Sequence, residues 1–472
     1  MRTIRSASRL AVLAAVAATL AVACGSPPSD GSESGESALS QSQCAGAKAW
    51  APNTAYKVGD VVTFQGQTFV VLQAHTSLSV WPPNIVPALY QPASCGTTPP
   101  SAPAPKPTPT PAPTPAPTPT PSPAPTPTPA PPSGGGSQTG SAGNALVFSS
   151  YKDTSINLNF NNDVISTRIT GSLQPLASEL TQAGGHEVTL AFATGECGSE
   201  TWGGVGGATI AAANAASLAQ SGLKYIVSTG GAAGVFTCGS DAGMETFLSR
   251  WSSSGLIGVD FDIEAGQSPD IINNLVQRIK VAHQKHPGLR FSLTLATVAA
   301  SKAGSTTAQS LGSAAADNFN VLGDDAISAV KSILGFNGNP STWPSFVTVN
   351  LMTMDFGAAG AGICVVANGA CQMGQSAIQA AFNLRDHFGV PLSNVELTPM
   401  IGGNDNTAEL FSLQDADTVA HFAISNGLAG VHYWSYDRDL DCPPGPASAT
   451  CNTIGNAGTH GFLKRFLGDG LH

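Results

Sequence analysis

Three carboxyl residues at alternate positions, Asp260, Asp262 and Glu264, lie in the run Gly258-Val259-Asp260-Phe261-Asp262-Ile263-Glu264. In a strand, alternate side chains share a face. The carboxyls therefore point one way, and Val259, Phe261 and Ile263 point the other. Like charges crowded into a dry interior cannot all ionise, so at least one proton is shared and at least one pKa is raised. An acid that keeps its proton near neutrality can donate it to a leaving-group oxygen, such as the bridging oxygen of a glycoside. Two other readings compete: an exposed edge strand with alternating polar residues, and a carboxylate metal site. The apolar neighbours and Gly258 suit a central strand better than an edge. The metal site lacks His partners or a spread of oxygen ligands, and no CxxC or His/Cys cluster has metal-ligand spacing. Neither a metal nor an organic cofactor is expected.

Placing such an acid at a binding site requires a scaffold. Apolar strand candidates fall at 146–151, 188–194, 225–229, 256–263, 291–297, 347–354, 395–401 and 430–434. Helical periodicity lies between them, at 208–221, 241–251, 269–286 and 413–426 among others. Alternating strands and helices with near-continuous apolar strands predict βα units around a buried parallel sheet. Eight units predict an α/β fold, a (β/α)8 TIM barrel, with an open doubly wound sheet as the alternative. No GxGxxG phosphate loop is present. In the barrel, the apolar face of the fourth strand meets the helices and the carboxyls face the interior. Glu264 is then nearest the C-terminal mouth, where sites on this fold lie.

The 472 residues include 52 Gly and 35 Pro, with 11% charged and a net charge of −10. That balance excludes nucleic acid as a natural partner, because phosphate recognition relies on clustered Lys and Arg. Arg2, Arg5 and Arg9 precede a short apolar run, 10–22, which reads as an export signal over 1–23. The run ends in Leu20-Ala21-Val22-Ala23-Cys24, similar to a bacterial lipobox, so a lipid anchor through Cys24 is expected, with plain secretion as the alternative. Residues 24–43 are a polar tether, and 96–143 are a Pro/Ala/Thr tract with a Gly/Ser hinge. The tract favours polyproline II and spans roughly 100 Å at about 3.1 Å per residue. It separates a small all-β module, 44–95, from a large domain, 144–472. The module has a hairpin pattern at 61–64 and 67–72 around Gln65-Gly66, and its small core calls for a disulfide staple. Of nine Cys, the eight after Cys24 pair by proximity as 44–95, 197–238, 364–371 and 442–451.

The carboxyl run resembles the DxxDxDxE signature of glycoside hydrolase family 18, and the resemblance extends over the large domain. Ser228-Thr229-Gly230-Gly231 is similar to the family's SxGG, and 350–356 (NLMTMDF) to its sixth-strand MxYD segment. Residues 398–402 and 433–439 resemble the seventh- and eighth-strand segments of a bacterial chitinase subgroup. The resemblance implies an endo-type chitinase in which Glu264 is general acid and then base. Asp262 would orient the substrate's 2-acetamido group, which itself attacks the anomeric carbon to give an oxazolinium intermediate. Asp260 would share a proton with Asp262, and Asp355 would assist around the acetamido group. Trp434 would floor the sugar site, with Met352 and Tyr151 on its wall. Two positions depart from the pattern. Ile257 stands where the signature has its first Asp, out of step with the other three carboxyls. Met354 stands where the family commonly has the Tyr that holds the acetamido oxygen, so another hydroxyl is expected to do so.

Residues 49–91 resemble a small chitin-binding module of bacterial chitinases, on Ala49-Trp50, Tyr56, Gly59-Asp60, Gly66, 73–76, Trp81-Pro82-Pro83 and 87–90. The implied partner is chitin, or its N-acetylglucosamine oligosaccharides, bound by a monomeric chain. Trp81 would be an exposed platform against the sugar faces, and Tyr90 either platform or core. Trp50, Tyr56 and Phe69 are expected in the module's core. Three other functions compete: a non-catalytic lectin on the same barrel, an endo-β-N-acetylglucosaminidase acting on N-glycans, and a surface adhesin.

Overall fold

The computed structural model describes residues 37–38, 44, 46–51, 54–71, 75–77, 83, 90–94 and 146–472 except 265 and 446. The export signal with Cys24, the proline-rich tract, Cys95 and Trp81 lie outside the described residues.

In the large domain, eight strands run parallel: β1 (Val147–Asp153), β2 (Glu187–Glu196), β3 (Lys224–Gly230), β4 (Leu256–Ile263), β5 (Arg290–Ala296), β6 (Val347–Met352), β7 (Val395–Thr398) and β8 (Gly430–Tyr433). Each pairs in parallel with the next, and β8 pairs with β1, so the sheet closes into a barrel. The helices α1 (Leu176–Gln182), α2 (Gly207–Gln220), α3 (Asp241–Trp251), α4 (Pro269–Lys285), α5 (Val321–Leu334), α6 (Met373–Asn383), α7 (Leu413–Asn426) and α8 (Gly461–Gly468) follow the strands in turn. The predicted (β/α)8 barrel is therefore the observed architecture, and the open sheet is excluded by the β8–β1 pairing.

Local sequence sets the boundaries. Ser268 caps α4 through its hydroxyl, with Pro269 in the first turn where no N–H is needed. Ser412 and Asp415 form a reciprocal capping box on α7, and Gly427 closes it at φ 63°. Strands β6 and β7 end earlier than the apolar runs suggested. After Met352 the backbone turns outward and Asp355 takes φ 48°, and Pro399 after β7 supplies no ladder donor. Along β2, pairing with β3 slips between Leu190 and Ala193. Such a slip re-aims a side chain, here Phe192, which lines the barrel mouth.

The apolar faces of the strands pack against the helices; Val259, Phe261 and Ile263 are buried. The barrel interior holds polar side chains in two layers. The lower one, toward the N-terminal ends of the strands, joins Arg290, Glu396, His432, Ser149 and Thr189. Glu396 pairs with Arg290 and, at 2.9 Å, with His432 Nε2. Nδ1 of His432 lies 2.7 Å from Ser149 Oγ, which is 2.6 Å from Thr189 Oγ1. Gly258 makes this layer possible: a Cβ there would sit 2.5 Å from Arg290 Cγ.

Disulfides join Cys197–Cys238, Cys364–Cys371 and Cys442–Cys451, as proximity suggested. Cys44 is also disulfide-bonded. In the small module, Val61–Phe64 and Gln67–Val71 form the expected hairpin. Its turn residues Gln65 and Gly66 take φ 51° and 82°, the positive pair a tight hairpin demands. Tyr56, Val62, Phe69, Val71 and Tyr90 are buried. Tyr90 is fully buried and accepts a 2.8 Å hydrogen bond from Trp50 Nε1, so it is a core residue and the sugar-platform expectation for it is corrected. Burial pushes its hydroxyl pKa up to about 12, against the opposing Trp50 hydrogen bond.

Candidate functional site

The upper polar layer begins with Asp260, at the middle of β4 and 1% exposed. Four hydroxyls donate to its two oxygens. Tyr151 and Ser228 reach Oδ2 at 2.9 and 2.6 Å, and Ser292 and Thr294 reach Oδ1 at 2.7 and 2.6 Å. They come from β1, β3 and β5, so the carboxylate ties together strands on both sides of β4. Burial raises its pKa against the pull of the Ser228, Thr294 and Ser292 hydrogen bonds.

Asp262, one pleat further on, is 5% exposed. Burial first, then the charges of Glu264 and Asp260, hold its pKa well above the carboxylate range. The side chain of Glu264 reaches it, and their interaction raises the Asp262 pKa further. Hydroxyl donors already occupy both oxygens of Asp260. Asp262 Oδ1 is buried with no hydrogen-bond partner. Gly230, at the end of β3, lets the chain pass close by: a Cβ there would lie 2.0 Å from the Asp262 carbonyl oxygen.

Glu264 follows the last residue of β4 and is half-buried at the mouth. Burial raises its pKa, opposed by the Asp262 hydrogen bond and by the backbone N–H of Ala232. Both carboxyls open on a cleft of about 610 Å³. One side of the cleft is aromatic. Trp434, just past β8, stacks on Phe192 with centroids 5.6 Å apart and planes inclined by 19°. Tyr151 packs against Trp434 at 6.1 Å, its hydroxyl fixed by Asp260 and by the Asn350 amide at 2.9 Å.

The opposite side, from β5 to β7, carries Met352, Met354, Met400 and the carboxylates of Asp317, Asp355 and Asp405. Asp355 sits exposed on the rim, accepting from the Asn406 N–H at 3.0 Å. Burial of its carboxyl group and the neighbouring Asp405 raise its pKa, against the Asn406 hydrogen bond. Of the residues singled out from sequence, Asp262, Glu264, Asp355, Trp434, Met352 and Tyr151 all border this cleft, and Asp260 lies beneath it. Phe192 and Asn318 were not foreseen. A strand slip turns Phe192 in, and Asn318 lies in a long loop that carries no motif.

The expectation that a hydroxyl replaces the missing Tyr at position 354 meets a difficulty. Thr294 donates to Asp260, Thr398 to Asn350 Oδ1 at 2.7 Å, and Thr297 to the Val298 carbonyl at 2.8 Å. Every threonine hydroxyl lining the cleft has thus committed its proton.

Residues 49–91 match the family model described as Carbohydrate-binding module family 5/12. Over 64 residues, 12% of this chain and 12% of the relative, the sequence is 44% identical to Chitinase Chi52 of Paenibacillus xylanexedens. Over 46 residues, 10% of this chain and 7% of the relative, it is 54% identical to Chitinase A1 of Niallia circulans. The chain therefore spans only about an eighth, or less, of the length of these curated relatives. Among solved structures, the catalytic domain of a hyperthermophilic chitinase from Pyrococcus furiosus aligns with 69% of this chain and 96% of its own, at 20% identity and a TM-score of 0.48.

Proposed function

We propose that this chain is an exported chitinase, an endo-acting glycoside hydrolase of β-1,4 N-acetylglucosamine polymers whose small module holds it on the solid substrate. The observation that carries the reading is the Asp262–Glu264 pair, two neighbouring carboxyls with raised pKa values at the mouth of a barrel, opening on a cleft with a stacked aromatic side. Such a pair supplies a proton at neutral pH. Aromatic faces accept the axial C–H surfaces of a pyranose. The module match at 49–91 supports a polysaccharide partner.

The proton shared by the pair passes to Glu264, nearer the solvent, which donates it to the glycosidic oxygen as the bond to the anomeric carbon breaks. Asp262, with Oδ1 otherwise unpartnered, accepts the acetamido N–H. That contact aligns the acetamido oxygen for attack on the anomeric carbon and stabilises the positive charge that develops. Once the leaving sugar departs, ionised Glu264 takes a proton from water. The water oxygen opens the oxazolinium ring, and the configuration at the anomeric carbon is retained. Carboxyls in direct hydrogen bond are much closer than the separation of about 5 Å at which one carboxylate attacks and the other protonates. The arrangement therefore favours a nucleophile supplied by the sugar. Asp260 anchors the strand register through its four hydroxyls. The polar tether and Cys24 attach the enzyme to the outer cell surface, and the proline-rich spacer gives the barrel reach over an immobile polymer.

The test is release of chitobiose from colloidal chitin by the full chain, beside a digestion of an N-glycosylated protein. Chitobiose without deglycosylation is expected. Chitin adsorption without products would mean a lectin, and preferential deglycosylation would mean an N-glycan endoglycosidase.

A further inference from the structure

The substrate proposed above bears an acetamido carbonyl on every sugar, an oxygen that accepts hydrogen bonds and cannot donate them. Successive sugars of a β-1,4 chain are turned over relative to one another. A catalytic sugar that turns its acetamido group toward Asp262 therefore leaves its neighbour's group facing away from the barrel interior. Most side-chain donors lining the cleft are spent. Tyr151, Thr294, Thr297 and Thr398 donate to acceptors within the protein, and the Asn318 amide nitrogen is sealed from solvent. That leaves the Trp434 indole N–H on the aromatic side and, on the opposite side, the Asn320 amide in the loop after β5.

Asn320 is the N-cap of α5, exposed and bordering the cleft. Its Oδ1 accepts from the N–H groups of Leu322 and Gly323, at 3.0 and 3.1 Å. Those two bonds fix which end of the amide is oxygen, because the flipped group would set N–H against N–H. Nδ2 is thus turned away from the helix, without an acceptor among the described residues. The frame around it is tied down. Phe319 bridges to Thr297 just past β5, and its ring packs 5.4 Å from that of Phe388. Gly323 admits that ring: a Cβ there would lie 2.6 Å from Phe319 Cγ. The free end of Asn320 is therefore a donor only, aimed by a helix cap.

We propose that Asn320 Nδ2 is a specificity-determining donor of the cleft, hydrogen-bonding the acetamido carbonyl of a sugar that adjoins the catalytic one. The inference rests on the chitinase reading and names a group that favours N-acetylated over deacetylated sugar at that place. An amide N–H meets a carbonyl favourably, whereas the ammonium of a deacetylated sugar sets donor against donor.

The competing role is the cap alone, and two substitutions separate the roles because Asp and Ser cap helices as well as Asn does. Kinetics of the full chain are measured at about pH 6 on a hexamer of N-acetylglucosamine and on a partially deacetylated hexamer, whose free amines are then ammonium groups. Asn320→Ser keeps the cap and withdraws the donor, and Asn320→Asp keeps the cap and puts a carboxylate where the donor was. Both are expected to lower kcat/KM on the acetylated hexamer by roughly three- to thirtyfold, the scale of one substrate hydrogen bond, with unchanged melting temperature. On the deacetylated hexamer Asn320→Asp should recover toward wild type or exceed it, since a carboxylate attracts the ammonium. A role as cap alone would leave both variants at wild-type kcat/KM on the acetylated hexamer, and that result overturns the proposal. An Asn320→Asp loss of equal size on both substrates would overturn it too, because the bond would then not be to the acetamido group. A wild-type chain that cuts neither hexamer would instead refute the chitinase reading itself.

Discussion

Two charged layers share the inside of one barrel, and they are built to opposite ends. In the lower layer, burial alone would raise the pKa of Glu396, yet Arg290 and His432 overcome it and hold the carboxylate at about 2. In the upper layer, burial prevails over Asp260, Asp262 and Glu264 alike, and among the described residues no cation pairs with them. The lower layer has donors for its charge and faces no cleft. The upper layer leaves Asp262 Oδ1 unpartnered and opens on 610 Å³ of space. A protein interior meets the cost of burying charge by pairing it or by keeping a proton. Pairing makes a brace, and a kept proton makes an acid. On the proposed function, the lower layer is a brace and the upper one supplies the acid.

Substitutions should separate the layers. The largest effect on turnover belongs to Glu264→Gln, expected to lower chitin hydrolysis by a factor of about 10² to 10⁴. Its melting temperature should stay within a few degrees of wild type, measured by calorimetry beside a reducing-sugar assay. Glu396→Gln should do the reverse, leaving Arg290 and His432 facing an uncharged amide. A loss of about 3–5 kcal/mol in denaturant titration is expected, with turnover per folded molecule within about twofold of wild type. If Glu396→Gln abolished turnover in folded protein, the division of roles would fail.

The layers also predict opposite pH dependences. A carboxylate held at about 2, against 4.5 unperturbed, stabilises the fold fully above pH 4.5 and loses that contribution as pH falls toward 2. Wild type should therefore unfold more readily in that acid window, and Glu396→Gln should show a flatter acid limb. The upper groups are raised, so the folded state holds protons there that the unfolded chain has released. Their contribution to stability is greatest at low pH and declines as pH rises through the raised values. Activity follows the same proton: kcat/KM should be full on the acid side and fall as the Asp262–Glu264 pair deprotonates, with apparent values that belong to the pair. A rate that rose with pH over this limb would contradict an acid role.

The smallest effect expected lies in the module. Trp81→Ala should weaken retention on crystalline chitin several-fold, the worth of one aromatic contact, and leave kcat/KM on soluble oligomers unaltered. Equal retention by the variant in a pull-down would place the platform elsewhere.

Much of the upper layer was readable from residue order, because alternation along β4 fixes which side chains share a face, whatever surrounds them. The strands and three disulfides were readable for similar reasons: apolar runs and short Cys spacings are local signals. Other features depend on contacts between distant segments. The lower layer joins Ser149, Arg290, Glu396 and His432, residues up to 283 positions apart that sit in no motif. Phe192 enters the cleft through a register slip against β3. Tyr90 was open between surface and core until its hydroxyl was placed beside the Trp50 indole. The four hydroxyls around Asp260 come from three other strands, so its surroundings could not be read from the run that contains it.

The central claim is that the cleft carboxyls protonate and orient while the sugar supplies the attacking atom. Proton NMR of the first-formed product from a chito-oligosaccharide tests it most directly, read before the reducing end mutarotates. The β-anomer is predicted. An initial α-anomer would mean that water attacks directly from the opposite face, with a rim carboxylate such as Asp355 as base, and would contradict the account.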